Sequence, residues 1–325
     1  VIKGPGAYDW LDRLVANRVP TEVGRSCLTP LISVRGGVAG DFTITKVAED
    51  EYMMIGSGMA ERYHQRFFNM VDLPEGTTLE VATDRIAGFN VAGPRSRDVL
   101  QHLTNADLSN QAFRFMRSQT IDVAGVTCLA IRVSFTGDLG WELHCAEQDQ
   151  IRLYSVLLDA AKTFNGGPVG GRALGSLRIE KGYGSWGREY SQEYWPQEVG
   201  LAGLIKLDKD FLHKDAYLAV KDNALREVLS IFEVDAVDAD AAGGEPIFTA
   251  DGKPVGRVTS GAYGYSVGKS LAIGYADPKV ARPGDMVEIF ILGRPHTAKL
   301  LVKPPFDPDG LRLRDVKPSV MAAAK

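Results

Sequence analysis

The periodicity of this chain changes once, near Asp222, and that change constrains the fold more than any other feature. Beyond it, the segments 229–234, 254–259, 270–275, 286–292 and 297–302 read as strands set apart by Gly, Asp and Pro turns, with no helical stripe among them. Short strands at that spacing predict a small β-barrel, placed at 223–325. Residues 1–222 behave differently, because strand pairs there alternate with helices. The expected class is therefore α+β, with antiparallel sheets and covering helices in a first unit and the barrel after it.

Within the first unit, Trp10, Leu11, Leu14 and Val15 recur at helical spacing between the Gly4-Pro5-Gly6 turn and Asn17. Val1-Ile2 reads as the end of a strand, so the chain is expected to begin inside this unit. Residues 41–47 and 51–55 alternate as a hairpin. A helix starting at Ser57 is expected to bury Met59, Tyr63, Phe67 and Phe68. Strands are expected at 79–82 and 87–91, then a helix opened by Pro94 and anchored by Val99 and Leu103. A second strand pair, 126–133 and 140–145, is joined by a Gly137-Asp138 turn. The helix after it places Ile151, Tyr154, Leu157, Leu158 and Ala161 on one stripe. The ending, 304–325, reads as a trailing surface segment.

Charge and cysteine content narrow the function. The formal net charge is −4 and neither sign gathers into a block, which argues against a phosphate-neutralising nucleic-acid groove. Three cysteines (Cys27, Cys128, Cys145) without CxxC spacing, and five histidines without ligand spacing, point away from a zinc site or disulfide framework and toward a reducing compartment. No uncharged apolar run approaches the roughly 18 residues of a membrane span. The expected setting is cytoplasmic, or the mitochondrial matrix in a eukaryote.

Three segments carry candidate chemistry. In Gly36-Gly37-Val38-Ala39-Gly40-Asp41, glycines permit close backbone approach and deliver one carboxylate at the start of a strand. That carboxylate suits a cationic or amine-bearing substrate; equally, it suits a turn residue capping its own backbone. In Ser134-Phe135-Thr136-Gly137-Asp138-Leu139-Gly140-Trp141-Glu142-Leu143-His144, period two puts Trp141, Leu143 and Cys145 on one face and Glu142 with His144 on the other. Glu142 is either a bidentate acceptor for a planar heterocycle or a solvated edge residue. In the third segment a helix ends at Gly182, and Tyr183 or Trp186 in the following loop can stack on a flat ligand. Arg178 and Glu180 are expected to form ion pairs from helix to neighbour. No dinucleotide fingerprint occurs.

In this order, Asp41 behind its glycines, Thr136-Gly137-x-x-Gly140-x-Glu142 and Leu177-Arg178-Ile179-Glu180-x-Gly182 resemble the folate-dependent aminomethyltransferase family, founded on the T-protein of the glycine cleavage system. Val258-Thr259-Ser260-Gly261 and Leu271-Ala272-Ile273-Gly274-Tyr275 extend the match into the second unit. Glu180-Lys181-Gly182-Tyr183-x-x-Trp186-Gly187, Gly261-Ala262-Tyr263-Gly264 and Pro304-Pro305-Phe306-Asp307-Pro308-x-Gly310-x-Arg312-x-Arg314 are similar to the C-terminal half of the FAD-linked dimethylglycine and sarcosine dehydrogenases and oxidases.

The resemblance implies a tetrahydrofolate-binding core at 1–222, with its N-terminal part missing, followed by the barrel. It implies transfer of a one-carbon unit from an N-methyl amine to tetrahydrofolate, giving 5,10-methylenetetrahydrofolate. Asp41 takes the place of the essential acid and Glu142 that of the pterin-binding residue; Tyr183, Trp186 and Phe135 line the folate channel. FAD, on this view, belongs to a missing segment or a partner subunit. Leu28 and Phe135 stand where the T-protein has Tyr, removing two hydroxyl contacts to folate or substrate, and Leu174 stands where it has a ligand-contacting Arg, a loss that fits the dehydrogenase branch better. Two other outcomes on the same scaffold are a demethylase producing 5-methyltetrahydrofolate and a non-catalytic folate-binding assembly factor.

Overall fold

The computed structural model describes residues 1–316. Five strands, β1 (Ile2–Lys3), β2 (Ser26–Ile32), β3 (Val38–Ala48), β4 (Glu51–Ile55) and β5 (Thr78–Leu79), form an antiparallel sheet in the order β2-β3-β4-β1-β5. The β3–β4 hairpin matches the sequence reading. Strand β2 was not anticipated, because Pro30 interrupts its pattern. As an edge strand it tolerates a residue without an N–H, and Pro30 lies opposite Asp41. Strand β5 stops at Leu79, three residues short of the expected end.

Helix α1 (Ala7–Leu14) packs Trp10, Leu11 and Leu14 into this sheet's core, and the Trp10 Nε1 donates to the Val71 carbonyl at 2.9 Å. It ends three residues earlier than expected, where Val15 turns extended. The Lys209 ammonium collects the freed carbonyls of Asp12, Val15 and Asn17, placing a cation at the negative end of the helix.

A 3₁₀ turn (Gly58–Ala60) precedes helix α2 (Glu61–Phe68), and this rotates the buried face. Met59 is 91% exposed, contrary to expectation, while His64 joins Phe67 and Phe68 inside.

A second antiparallel sheet holds β6 (Ile86–Ala92), β7 (Ser118–Val123), β8 (Val126–Ile131) and β9 (Gly140–Ala146) in the order β6-β9-β8-β7. Strands β8 and β9 pair as expected, with Leu129 opposite His144, but the connection is an eight-residue loop, 132–139, and not a tight turn. Helices α3 (Ser96–Gln101) and α4 (Gln150–Thr163) accompany this sheet.

The buried face of α4 is Leu153, Leu157 and Ala160, and Ile151 is 81% exposed. The helix carries two apolar stripes that share Leu157, and periodicity alone does not choose between them. Helix α5 (Gly171–Glu180) ends in a Schellman motif: Tyr183 N–H reaches the Arg178 carbonyl and Gly182 N–H that of Ile179, both at 2.9 Å, with Gly182 at φ +72°.

After helix α6 (Lys214–Leu218), strands β10 (Val228–Val234), β11 (Pro246–Phe248), β12 (Pro254–Gly264), β13 (Lys269–Ala276), β14 (Met286–Ile291) and β15 (Arg294–Leu300) close into a barrel in the order β10-β13-β12-β11-β14-β15. Closure leaves no unpaired edge, and Phe232, Ile247, Val258, Val287, Ile289 and Leu300 fill the interior. The α+β core and terminal barrel thus stand as read from the sequence; β11 was missed because it is three residues long.

The largest correction concerns the ending. Residues 304–316 are not a trailing surface segment: Phe306 and Leu313 are buried, and helix α7 (Leu311–Arg314) docks on the earlier sheets. The remainder of that expected segment, 317–325, lies outside the described residues.

Candidate functional site

Asp41 projects from β3 directly after Gly40, where a Cβ would stand 2.7 Å from the Phe42 ring and 2.9 Å from His64 Nε2. The glycine is therefore what allows α2 to lie this close to the strand. Half-buried Asp41 receives no side-chain hydrogen bond from another group and has no cation partner among the described residues. Burial pushes its carboxyl up to about 6. Tyr190 sits near enough that the Asp41 charge adds to burial in raising its phenol.

Beside Asp41 lies an aromatic group that sequence reading did not assemble. His64, 2% exposed, has ring centroids of Phe42 at 4.7 Å, Trp186 at 5.1 Å and Tyr63 at 5.5 Å. Burial lowers its imidazole to about 4, so it is neutral, and its Nε2 has no hydrogen-bond partner among the described residues. Trp186 also leans over Tyr63, at 5.7 Å and 33°.

Glu142, on β9, lies between Asn90 of β6 and Ile131 of β8. Its face of the strand is the one expected, since Trp141, Leu143 and Cys145 are buried on the other. Among the described residues the carboxylate makes no hydrogen bond; the His144 Nε2 stands 3.7 Å from Glu142 Oε2 and has no hydrogen-bond partner of its own among them. Gly88, opposite His144 in the ladder, leaves room for that ring, because a Cβ there would come within 3.4 Å of its Nδ1.

A cavity of about 260 Å³ lies next to these groups. Phe42 and His64 line it on one side and Ile86 and His144 on another, so neighbours of Asp41 and of Glu142 face the same space although neither carboxylate lines it. His64, His144 and Tyr190 were missed as site residues. The available signal was glycine within strands, Gly40 and Gly88, which marks close approach of another group.

Phe135 and Tyr183 form a separate element. Their rings stack at 6.2 Å and 20°, bringing the 132–139 loop to the loop that follows α5. The α5 end is fixed from below by Glu189, which is fully buried and accepts hydrogen bonds from Arg178 (2.8 Å), Ser185 N–H (2.8 Å), Thr259 (2.8 Å) and Ser260 (2.6 Å). These donors replace the water lost on burial. Arg178 thus forms the expected ion pair, with Glu189. Glu180 does not: among the described residues its fully buried carboxylate accepts only the Ser266 N–H, at 2.7 Å, and has no cation.

Among the described residues neither the Asp41 nor the Glu142 carboxylate has a cation partner, so each is chemically suited to a positively charged or N–H-rich group. Comparison with known proteins agrees with a transferase. The family model described as the GCVT N-terminal domain matches residues 1–209, and the glycine cleavage T-protein C-terminal barrel domain matches 228–307. The chain belongs to the glycine cleavage T-protein, or aminomethyltransferase, family.

Among its relatives, mitochondrial dimethylglycine dehydrogenase of Mus musculus is 35% identical over 93% of this chain and 35% of its own length. An aminomethyltransferase of Caldanaerobacter subterraneus subsp. tengcongensis is 29% identical over 93% of this chain and 81% of its own. The chain therefore spans about a third of the dehydrogenases it matches. In fold it superposes on the glycine cleavage system aminomethyltransferase T from Bartonella henselae with a TM-score of 0.82 at 20% identity, covering 94% of this chain and 83% of that one.

Proposed function

We propose that this protein transfers a one-carbon unit from an amine-derived iminium to tetrahydrofolate, forming 5,10-methylenetetrahydrofolate in the breakdown of an N-methyl amine such as dimethylglycine or sarcosine. The observation that carries the reading is Asp41, a half-buried carboxylate raised to about 6 with no cation of its own. Such a group is costly to ionise unless a cation arrives, and the proposed donor is a cation. Its raised value also suits it to accept a proton near neutral pH.

Glu142 fits the folate role on its acceptor chemistry. It has uncommitted oxygens that match adjacent N–H groups of a reduced pterin. Tetrahydrofolate supplies the nucleophilic nitrogens; Glu142 holds its ring, Phe135, Tyr183 and Trp186 bound its channel, and Asp41 stabilises positive charge at the reacting carbon. The transfer chemistry is assigned to residues 1–222, with the barrel strands β10–β15 buttressing the α5 end through Ser260 and Thr259. Oxidation of the amine is assigned to a flavin-bearing segment or partner, because the dehydrogenase relatives extend well beyond the matched region.

The test is titration with tetrahydrofolate and an imine donor, with product identification by mass spectrometry. Methylenetetrahydrofolate formed by the unaltered protein and lost in Asp41→Asn supports the proposal. A 5-methyl product, or full turnover without the carboxylate, overturns it.

A further inference from the structure

The segment 304–316 makes a set of contacts that barrel closure does not require. Pro304 packs on Gly182, where a Cβ would lie 3.0 Å from its Cγ, and the Phe306 N–H donates to the Glu180 carbonyl at 3.2 Å. Asp307 follows, and its carboxylate is a hub. One oxygen accepts the N–H groups of Leu311 at 2.8 Å and Arg312 at 3.1 Å; the other meets the Lys181 ammonium at 3.1 Å. Both side chains of this ion pair are buried, at 6% and 4% exposure. Burial alone would raise the Asp307 carboxyl, but the Arg312 amide and the Lys181 ammonium overcome it and hold the group below its ordinary value.

Lys181 carries the connection onward. Its aliphatic stem lies against Gly137, whose added Cβ would stand 2.6 Å from Lys181 Cγ and Cδ, so the 132–139 loop rests on that stem. Arg312 grips the same loop from outside, its Nε 3.1 Å from Asp138 Oδ1, while its guanidinium covers the Phe306 ring at 4.8 Å. Arg132, at the start of the loop, donates to the Arg314 carbonyl at 3.0 Å. The two loops held this way are the ones that present Phe135 and Tyr183.

We propose that the strap 304–316 is a clamp that sets the spacing of the Phe135–Tyr183 ring pair, with Asp307 and Arg312 as positioning residues acting through Lys181 and Asp138. The clamp rests on the folate reading for its ligand, but its mechanical part does not. A stack of two rings offers a ligand a wall only while both loops keep their separation. The ends of the 132–139 loop are tied down separately, Arg132 to the Phe113 carbonyl at 2.6 Å and the Leu139 carbonyl to Gly93 N–H at 2.8 Å and the Ser96 hydroxyl at 3.0 Å, and the Tyr183 carbonyl accepts from Arg178 at 2.9 Å. The strap bears on what lies between, at Gly137 and Asp138 on one loop and Gly182 on the other.

Three variants test it: Asp307→Asn, Arg312→Glu, and the exchange pair Arg312→Asp with Asp138→Arg. Lys303→Ala, which breaks only the exposed Lys303–Asp309 pair, is the control. Hydrogen exchange on the ligand-free protein is expected to speed up in 134–139 and 181–185 for Asp307→Asn and Arg312→Glu, and to return to normal in the exchange pair. Tetrahydrofolate dissociation constants are expected to rise about tenfold for Asp307→Asn and about threefold for Arg312→Glu, the half-exposed pair being weaker. Turnover at saturating folate should change less than twofold, and the control should match the unaltered protein.

Unchanged exchange in both loops in either single variant overturns the clamp. Faster exchange with an unchanged dissociation constant overturns its role in ligand binding. Should Asp307→Asn fail to fold, Arg312→Glu and its rescue decide the matter alone, since they alter a surface pair. An unaltered protein that binds no tetrahydrofolate refutes the folate reading and not the clamp, which the exchange measurement still decides.

Discussion

Replacing Asp41 with Asn is expected to make the protein more stable while abolishing transfer. The carboxyl moves from an ordinary value of 3.8 to about 6 on folding, chiefly through burial. At about 1.4 kcal/mol per unit, a shift of this size costs about 3 kcal/mol once the group is ionised. Water reaches the half-buried side chain, so about 1–3 kcal/mol is the expected range.

The sign is fixed by linkage. Below pH 4 folded and unfolded chains both carry a proton on Asp41, so aspartate and asparagine differ little. Between 4 and 6 the unfolded state ionises first and the native protein loses stability with rising pH; above 6 the full penalty stands. Asparagine has no such titration. Urea unfolding at pH 4, 6 and 8 should give a gap between variant and parent that opens across this window, with the slope m unchanged. A variant less stable at pH 8, or a gap independent of pH, would refute the claim that Asp41 is a desolvated charge awaiting a cation.

Transfer activity of the unaltered protein should fall as pH drops through about 6, a profile that kcat/KM against pH will reveal. Glu142→Gln is expected to weaken tetrahydrofolate binding by about tenfold to a hundredfold, a loss of one charge-assisted contact, measurable by calorimetry. Arg178→Ala strands the buried Glu189 carboxylate and should cost about 3–5 kcal/mol in urea unfolding. His64→Phe removes an unpartnered buried nitrogen and is expected to leave stability equal or higher by about 1 kcal/mol, which a thermal melt will check.

What was legible in the sequence is what period and spacing encode directly. The β3–β4 hairpin, the two faces of β9 and the Schellman end of α5 each depend on residues close in sequence, and each was read correctly. Strand β2 was hidden by Pro30, a residue that is permitted only because the strand lies at an edge. The face of α2 was read at Tyr63, Phe67 and Phe68 but not at Met59, which the preceding 3₁₀ turn throws outward, and that of α4 was misphased, because a second apolar stripe competes with the first and only the packed sheet selects between them. Of the candidate site, Asp41 and Glu142 could be named from their strands. His64 could not, since an imidazole enclosed by Phe42, Tyr63 and Trp186 is created by tertiary packing, and Gly40 signals only that some group comes close to the strand, not which one. The strap was lost for a related reason: Asp307 and Lys181 are 126 residues apart.

That separation has a consequence for biosynthesis. Contacts such as Asn110 with Asp315, 205 residues apart, and Arg132 with Arg314, 182 apart, arise only after the barrel strands have left the ribosome. The sheets that carry Asp41 and Glu142 emerge much earlier and have their own cores. If the clamp acts as proposed, a nascent chain folds both carboxylate-bearing sheets before the Phe135–Tyr183 spacing is set, and the ring pair is positioned last, by the final stretch of the described chain.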